Sequence, residues 1–266
     1  MKLFYRKYGE GPYLMILHGL YGSSDNWITI AKKLSDVFTV ILPDQRNHGL
    51  SPHSEIHSYN AMADDLMDLV ERLKIQKFLL AGHSMGGKTA MTFALKWPER
   101  LNGLLVADIS PFSAGRNAPR SLQQHLEILN AVISADLKRA SSRKQVETIL
   151  SETIKSAGLR ALMMKNLQRE ADGSFSWKIN ARIILDNLHG IMGEIDLREN
   201  NSAAGFPVVF LKGEHSDFIS FSEYEEIRRI FPSAGFFEVK GSGHWLHTDN
   251  PDAVIEHLLM LGGVFK

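Results

Sequence analysis

The stretch FLLAGHSMGG, residues 78–87, constrains this chain more than any other. Phe78, Leu79, Leu80 and Ala81 form an apolar run of the length and character of a buried strand. They lead directly into Gly82-His83-Ser84-Met85-Gly86, and an apolar helical pattern follows at once. A serine between two glycines, after a strand and before a helix, is a G-x-S-x-G elbow in its proper context. Side chains two places either side of the serine would collide in so tight a turn, which accounts for Gly82 and Gly86. The strain has a use, since it holds the Ser84 hydroxyl up and out at the carboxyl edge of the sheet.

The rest of the chain is arranged around that elbow. Residues 2–8 alternate weakly and suggest a short edge strand. The turn Gly9-Glu10-Gly11-Pro12 and the apolar run at 13–17 follow. That run opens into His18-Gly19-Leu20-Tyr21-Gly22, with a helix expected from about Asn26. Residues 37–42 predict the next strand, stopped by Pro43, and residues 59–73 have helical period. After the elbow and its helix, residues 101–107 read as one more strand. Strand after strand with a helix between them predicts a mainly parallel sheet covered on both faces.

The rhythm breaks after Pro111. From there to about Ala204 the pattern is helical at 122–133, 143–155, 159–167 and 183–191, and no strand is predicted. It returns with a strand at 207–211, a helix at 223–230, a strand at 235–239 and a final helix at 252–261. The expected organisation is a core at 1–110 and 206–266, with a helical cap at 111–205 over the carboxyl edge.

Composition excludes several function classes. With 266 residues the chain can bury a substantial core. Lys+Arg and Asp+Glu are both 30, so no global charge draws it to nucleic acid or an anionic membrane. It has no cysteine, hence no thiolate nucleophile or cysteine-ligated metal, which fits a cytoplasmic location. The start, MKLFYRKYGEG, lacks the apolar core of a signal peptide, and no apolar run is long enough to insert in a membrane. A GxGxxG motif is missing, so no dinucleotide site is supported and no cofactor is expected. The pairs His53/His57 and His244/His247 have spacings metals use, but no convincing acidic ligands accompany them, so no metal is expected either.

A serine hydroxyl needs an adjacent base, itself oriented by a third group. Any one of the 11 histidines is ordinarily a surface or core residue. His244 differs in position, in the glycine-rich GSGHW loop just past the last strand and at the same edge as Ser84. Two backbone N–H groups must also meet the developing oxyanion. Met85, opening the elbow helix, supplies one, and Leu20, in the bend after the neighbouring strand, the other. Arg46 and Asn47 read as residues that tie loops together. Trp245 is placed in the substrate pocket. Met163, Met164, Leu167, Phe175 and Trp177 form a cap stripe that fits helix packing or an acyl-binding wall equally well.

Taken together, HGLYGSSDNW, DQRNHGLSPHS, GHSMGG and the loop around ADISP resemble the α/β-hydrolase superfamily. Within it they are most similar to small bacterial esterases and the related mitochondrial hydrolases. The resemblance implies ester or thioester hydrolysis without cofactor, with Ser84 as nucleophile and His244 as base. The large, Met-rich cap predicts short-to-medium linear acyl chains. A lyase, a carbon–carbon hydrolase or an acyltransferase on the same fold is the enzymatic alternative. A lyase should carry a basic cluster for an anionic substrate, for which Arg46, Arg116 and Arg120 are scattered candidates. A non-catalytic binding protein is the alternative of another class.

The acid of the triad is the open position. Most relatives place it in a G-x-x-D turn, here starting at Gly213, but residue 216 is serine and Asp217 lies one place beyond. Asp108 ends the strand that follows the elbow helix, where apolar sequence abruptly yields a charge. A carboxylate there is costly unless paired, and His244 is its natural partner. Asp108 is therefore favoured, with Asp217 as the alternative.

Overall fold

In a computed structural model, residues 1–113, 118–198 and 201–264 are described, with 118–120 as backbone only. The chain runs β1 (Tyr5–Tyr8), β2 (Tyr13–Leu17), α1 (Ile28–Leu34), β3 (Thr39–Pro43), α2 (Tyr59–Arg72), β4 (Phe78–His83), α3 (Met85–Lys96) and β5 (Leu101–Ala107). Then come α4 (Ala118–Ser134), α5 (Arg143–Thr153), α6 (Ala157–Lys165), β6 (Leu167–Arg169), β7 (Phe175–Trp177), α7 (Ala181–Asp186) and α8 (Leu188–Met192). The core resumes with β8 (Val208–Gly213), α9 (Tyr224–Ile230), β9 (Ala234–Val239), α10 (Leu246–Asp249) and α11 (Pro251–Leu261).

Seven strands form one sheet in the order β1-β3-β2-β4-β5-β8-β9, parallel except for the antiparallel edge strand β1. Its strands read as unbroken apolar runs because both faces are covered. Met15, Leu17, Ile41, Leu104 and Val106 pack with residues of α2, α3 and α9. The alternate residues Leu14, Ile16, Val40 and Leu105 pack with α1 and α11 on the other side. Burying a leucine or phenylalanine in this way contributes about 1.5–3 kcal/mol. β4 lies between β2 and β5, so the elbow emerges near the middle of the sheet's carboxyl edge.

The segment between β5 and β8 is mainly helical and has a core of its own, including Leu129, Val146, Leu150, Met163 and Ile184. It departs from expectation in that β6 and β7 pair as an antiparallel hairpin, Leu167 against Trp177 and Arg169 against Phe175. Gly173, at φ 86°, closes the turn, and the Glu170 N–H donates to Ser174 O. Strands of three residues are too short to show a two-residue period. The helix expected at 183–191 divides into α7 and α8 at Asn187.

Candidate active site

The elbow is as tight as its glycines imply. A Cβ on Gly82 would come within 2.2 Å of Gly86 O, and one on Gly86 within 2.5 Å of His18 O. Ser84 has φ 53° and ψ −120°, a conformation costing a non-glycine residue about 1–3 kcal/mol. The surrounding ladder holds it there, for the Ser84 N–H donates to Ala107 O at 3.1 Å and Ser84 O accepts from Gly87 and Lys88.

The next strand ends in the same way. Asp108 has φ 52°, is fully buried, and its N–H donates to Leu211 O at 2.7 Å. Its carboxylate accepts three hydrogen bonds. The Gly213 N–H reaches Oδ1 at 2.9 Å, while His244 Nδ1 at 2.7 Å and the Ser216 hydroxyl both reach Oδ2. A carboxylate only accepts, so His244 carries its proton on Nδ1 and leaves Nε2 as a base. Asp217, the alternative acid, is solvent-exposed, and the carboxylate that meets His244 is that of Asp108.

Ser216 is the serine found where many relatives carry the acid. Its hydroxyl donates to Asp108 Oδ2, the oxygen that His244 Nδ1 also reaches, and it does not line the cavity. Ser84, by contrast, lines the cavity together with His244. Two aromatic contacts fix the His244 ring, Phe218 stacked at 3.9 Å and His83 at 4.7 Å. His83 also donates from Nε2 to His244 O at 2.7 Å, and burial, then the nearby His244 and His247, hold it neutral. Its place immediately before Ser84 was the one sequence signal of this role.

At the two turns expected to bind an oxyanion, the N–H groups of Leu20 and Met85 have no acceptor among the described residues. Both residues border the cavity of Ser84 and His244, whose volume is about 650 Å³. Arg46 and Asn47 do tie loops together. Arg46 binds Asp65 at 2.6 Å and the carbonyls of Ile56 and Ala61, and the Asn47 side chain accepts from the Ser54 N–H. Arg46 therefore offers nothing to an anionic substrate. Arg116 and the side chain of Arg120 lie outside the described residues. His247 stacks on Trp27 at 4.6 Å, and burial holds it down to about 4. Among the described residues no three of His, Asp and Glu are arranged to hold a metal.

Residues 12–251 match the α/β-hydrolase fold family. The chain belongs to that family. It is 39% identical over 254 residues to the mouse sn-1-specific diacylglycerol lipase ABHD11, covering 93% of this chain and 81% of the relative. It is 31% identical over 242 residues to esterase YbfF of Escherichia coli, covering 91% and 89%. Among solved structures it resembles a marine microorganism esterase with a TM-score of 0.93 and 43% identity, covering 98% of this chain and 99% of that one.

The cavity lies between sheet edge and insertion, but its wall differs from the expected one. Trp245 lines the cavity, whereas Met163, Met164 and Trp177 do not. The methionines are buried in the cap's own core, and Trp177 packs against it, donating from Nε1 to Val132 O at 3.1 Å. The cap wall is made instead by Leu159, Leu162 and Lys165 of α6 and by Ile191 and Met192. Lys88, one turn past Ser84, borders it too. Its ammonium donates to Phe112 O at 2.7 Å and to Gly193 O, so one buried cation joins both connections of the cap to the elbow helix. Burial lowers it to about 8.

Proposed function

We propose that this chain is a serine hydrolase cleaving carboxylic esters or thioesters of short-to-medium acyl chains through an acyl-enzyme on Ser84. The observation that carries the reading is the Asp108–His244 pair at 2.7 Å, opening onto the same cavity as the strained Ser84. In the first half-reaction His244 Nε2 takes the Ser84 proton as Oγ attacks the carbonyl carbon. The oxyanion meets the N–H groups of Leu20 and Met85, and Asp108 stabilises the imidazolium through Nδ1. His244 then protonates the departing alcohol or thiol. In the second half-reaction water attacks the acyl-enzyme by the same route, releasing the acid and restoring Ser84. No cofactor enters either half.

A cavity of about 650 Å³ lies in the range that encloses most of a drug-sized ligand. Its cap wall of leucine, isoleucine and methionine suits a linear acyl chain. Profiling nitrophenyl esters from acetyl to dodecanoyl, the matching acyl-coenzyme A thioesters and a diacylglycerol tests this. The diacylglycerol is included because it is the substrate named for the ABHD11 relatives. The expected optimum is a short or medium chain. Best activity on emulsified long-chain triglyceride would contradict the reading.

A further inference from the structure

Tyr21 follows Leu20 in the turn after β2 and has φ 64°, a left-handed conformation unfavourable for a bulky residue. Every polar group of this residue is taken. Its N–H donates to His48 Nε2 at 3.3 Å, its carbonyl accepts from Asn166 Nδ2 at 2.8 Å, and its hydroxyl pairs with His125 Nδ1 at 2.9 Å. His48 belongs to the core, but Asn166 and His125 belong to the cap, and the Tyr21 ring is buried in the cap's apolar cluster. One strained residue of the sheet edge is thus held from both sides.

Both holders are themselves fixed. His48 Nδ1 donates to Arg46 O at 3.0 Å, which leaves Nε2 as the acceptor for Tyr21, and Arg46 is anchored on Asp65. Asn166 caps the end of α6, the helix that supplies Leu159, Leu162 and Lys165 to the cavity wall. Its N–H donates to Met163 O at 2.9 Å, its carbonyl accepts from the Lys178 N–H at 2.8 Å, and the side chain is buried. A shift of α6 therefore moves the donor that holds the Tyr21 carbonyl. The Tyr21 carbonyl shares a planar peptide with the Gly22 N–H, which donates to Gly19 O at 2.9 Å. Gly19 O in turn shares a planar peptide with the Leu20 N–H, so the shift reaches that donor.

We propose that Asn166 and His48 are positioning residues for the oxyanion turn, gripping Tyr21 from cap and core so that the aim of the Leu20 N–H depends on where α6 sits. The inference rests on the reading of Leu20 as an oxyanion donor. It makes the cap part of the chemical step as well as a wall for the acyl chain.

The test compares N166L, H48L and H48Q with the wild type on an acetyl ester, with thermal unfolding as a check on folding. Affinity for a phenylboronic acid, which becomes tetrahedral on the serine, is measured beside that for the planar product acid. Removing an oxyanion donor outright costs about 10²- to 10³-fold, so misaiming one should cost N166L and H48L about 10- to 100-fold in kcat. Boronate affinity should fall by a similar factor, with KM and product affinity within about threefold. In H48Q the amide oxygen can accept the Tyr21 N–H, and most of the activity should return. N166A replaces N166L if the latter does not fold. Folded variants that keep kcat and boronate affinity within about threefold would overturn the inference, as would equal losses for boronate and product. A wild type without esterase activity would instead remove the functional reading beneath it.

Discussion

On the sheet edge that floors the cleft, Tyr21, Ser84 and Asp108 all have positive φ, at 64°, 53° and 52°. In the α4–α8 segment that roofs it, Gly173 alone does so among the described residues. The floor stores strain and is held by ladder hydrogen bonds on every side, as when Ser84 bonds Ala107 and Asp108 bonds Leu211. The roof is a set of helices and one short hairpin, packed on an apolar core of their own. Groups that must meet reacting atoms within a few tenths of an ångström sit on rigid backbone, and groups that only need to enclose a chain sit on helices. The expected division of labour is that floor substitutions lower kcat and roof substitutions change substrate choice, with Asn166 the exception because it grips Tyr21 of the floor.

The largest effect should come from the acid. D108N leaves the shape intact but favours the wrong imidazole tautomer, and should lose about 10³- to 10⁴-fold in kcat while remaining folded. D217N should stay within about tenfold of the wild type. Steady-state kinetics on one short ester decides between them, and the reverse ranking would move the acid to Asp217.

Two neighbouring roof residues sharpen the contrast. L162W fills the cavity, so esters of eight or more carbons should lose roughly tenfold in kcat/KM while acetyl esters change little. M163A, one residue along, faces the cap core. It should cost about 2–5 kcal/mol of stability by denaturant unfolding and leave the chain-length profile alone. A changed profile in M163A with an unchanged one in L162W would mean that α6 presents its other face.

The smallest effect is a pH dependence of stability. His57, in the connection from β3 to α2, is buried, and desolvation, with Arg46 second, lowers it to about 4. The unfolded chain binds that proton from about 6.5, so stability should fall as pH drops from 6.5 to 4, by up to about 3 kcal/mol for this group alone. H57F, compared by thermal unfolding across that range, should flatten the slope. An unchanged slope would show that other groups carry it.

These elements also mark what could be read before the structure. Gly82, Ser84 and Gly86 were legible because a tight turn imposes residue types at fixed spacing. Asp108 was legible because a charge ending an apolar strand demands a partner, and His244 stands at the only loop of the last strand that could supply it. The cavity wall was not. α6 is apolar on two faces, so periodicity cannot tell whether Leu159 and Leu162 or Met163 and Met164 turn inward. The hairpin of β6 and β7 is too short for its period to register. The grip on Tyr21 joins residues 21, 48, 125 and 166, and no local pattern carries a contact at that separation.

The central claim is that the nucleophile is the strained serine of the elbow and that Ser216 serves the carboxylate. Reaction with a fluorophosphonate, followed by mass mapping of the labelled peptide, tests it most directly. The account predicts stoichiometric modification of Ser84, abolished in S84A and retained in S216A. A label on Ser216, or a folded protein that takes none, would contradict it.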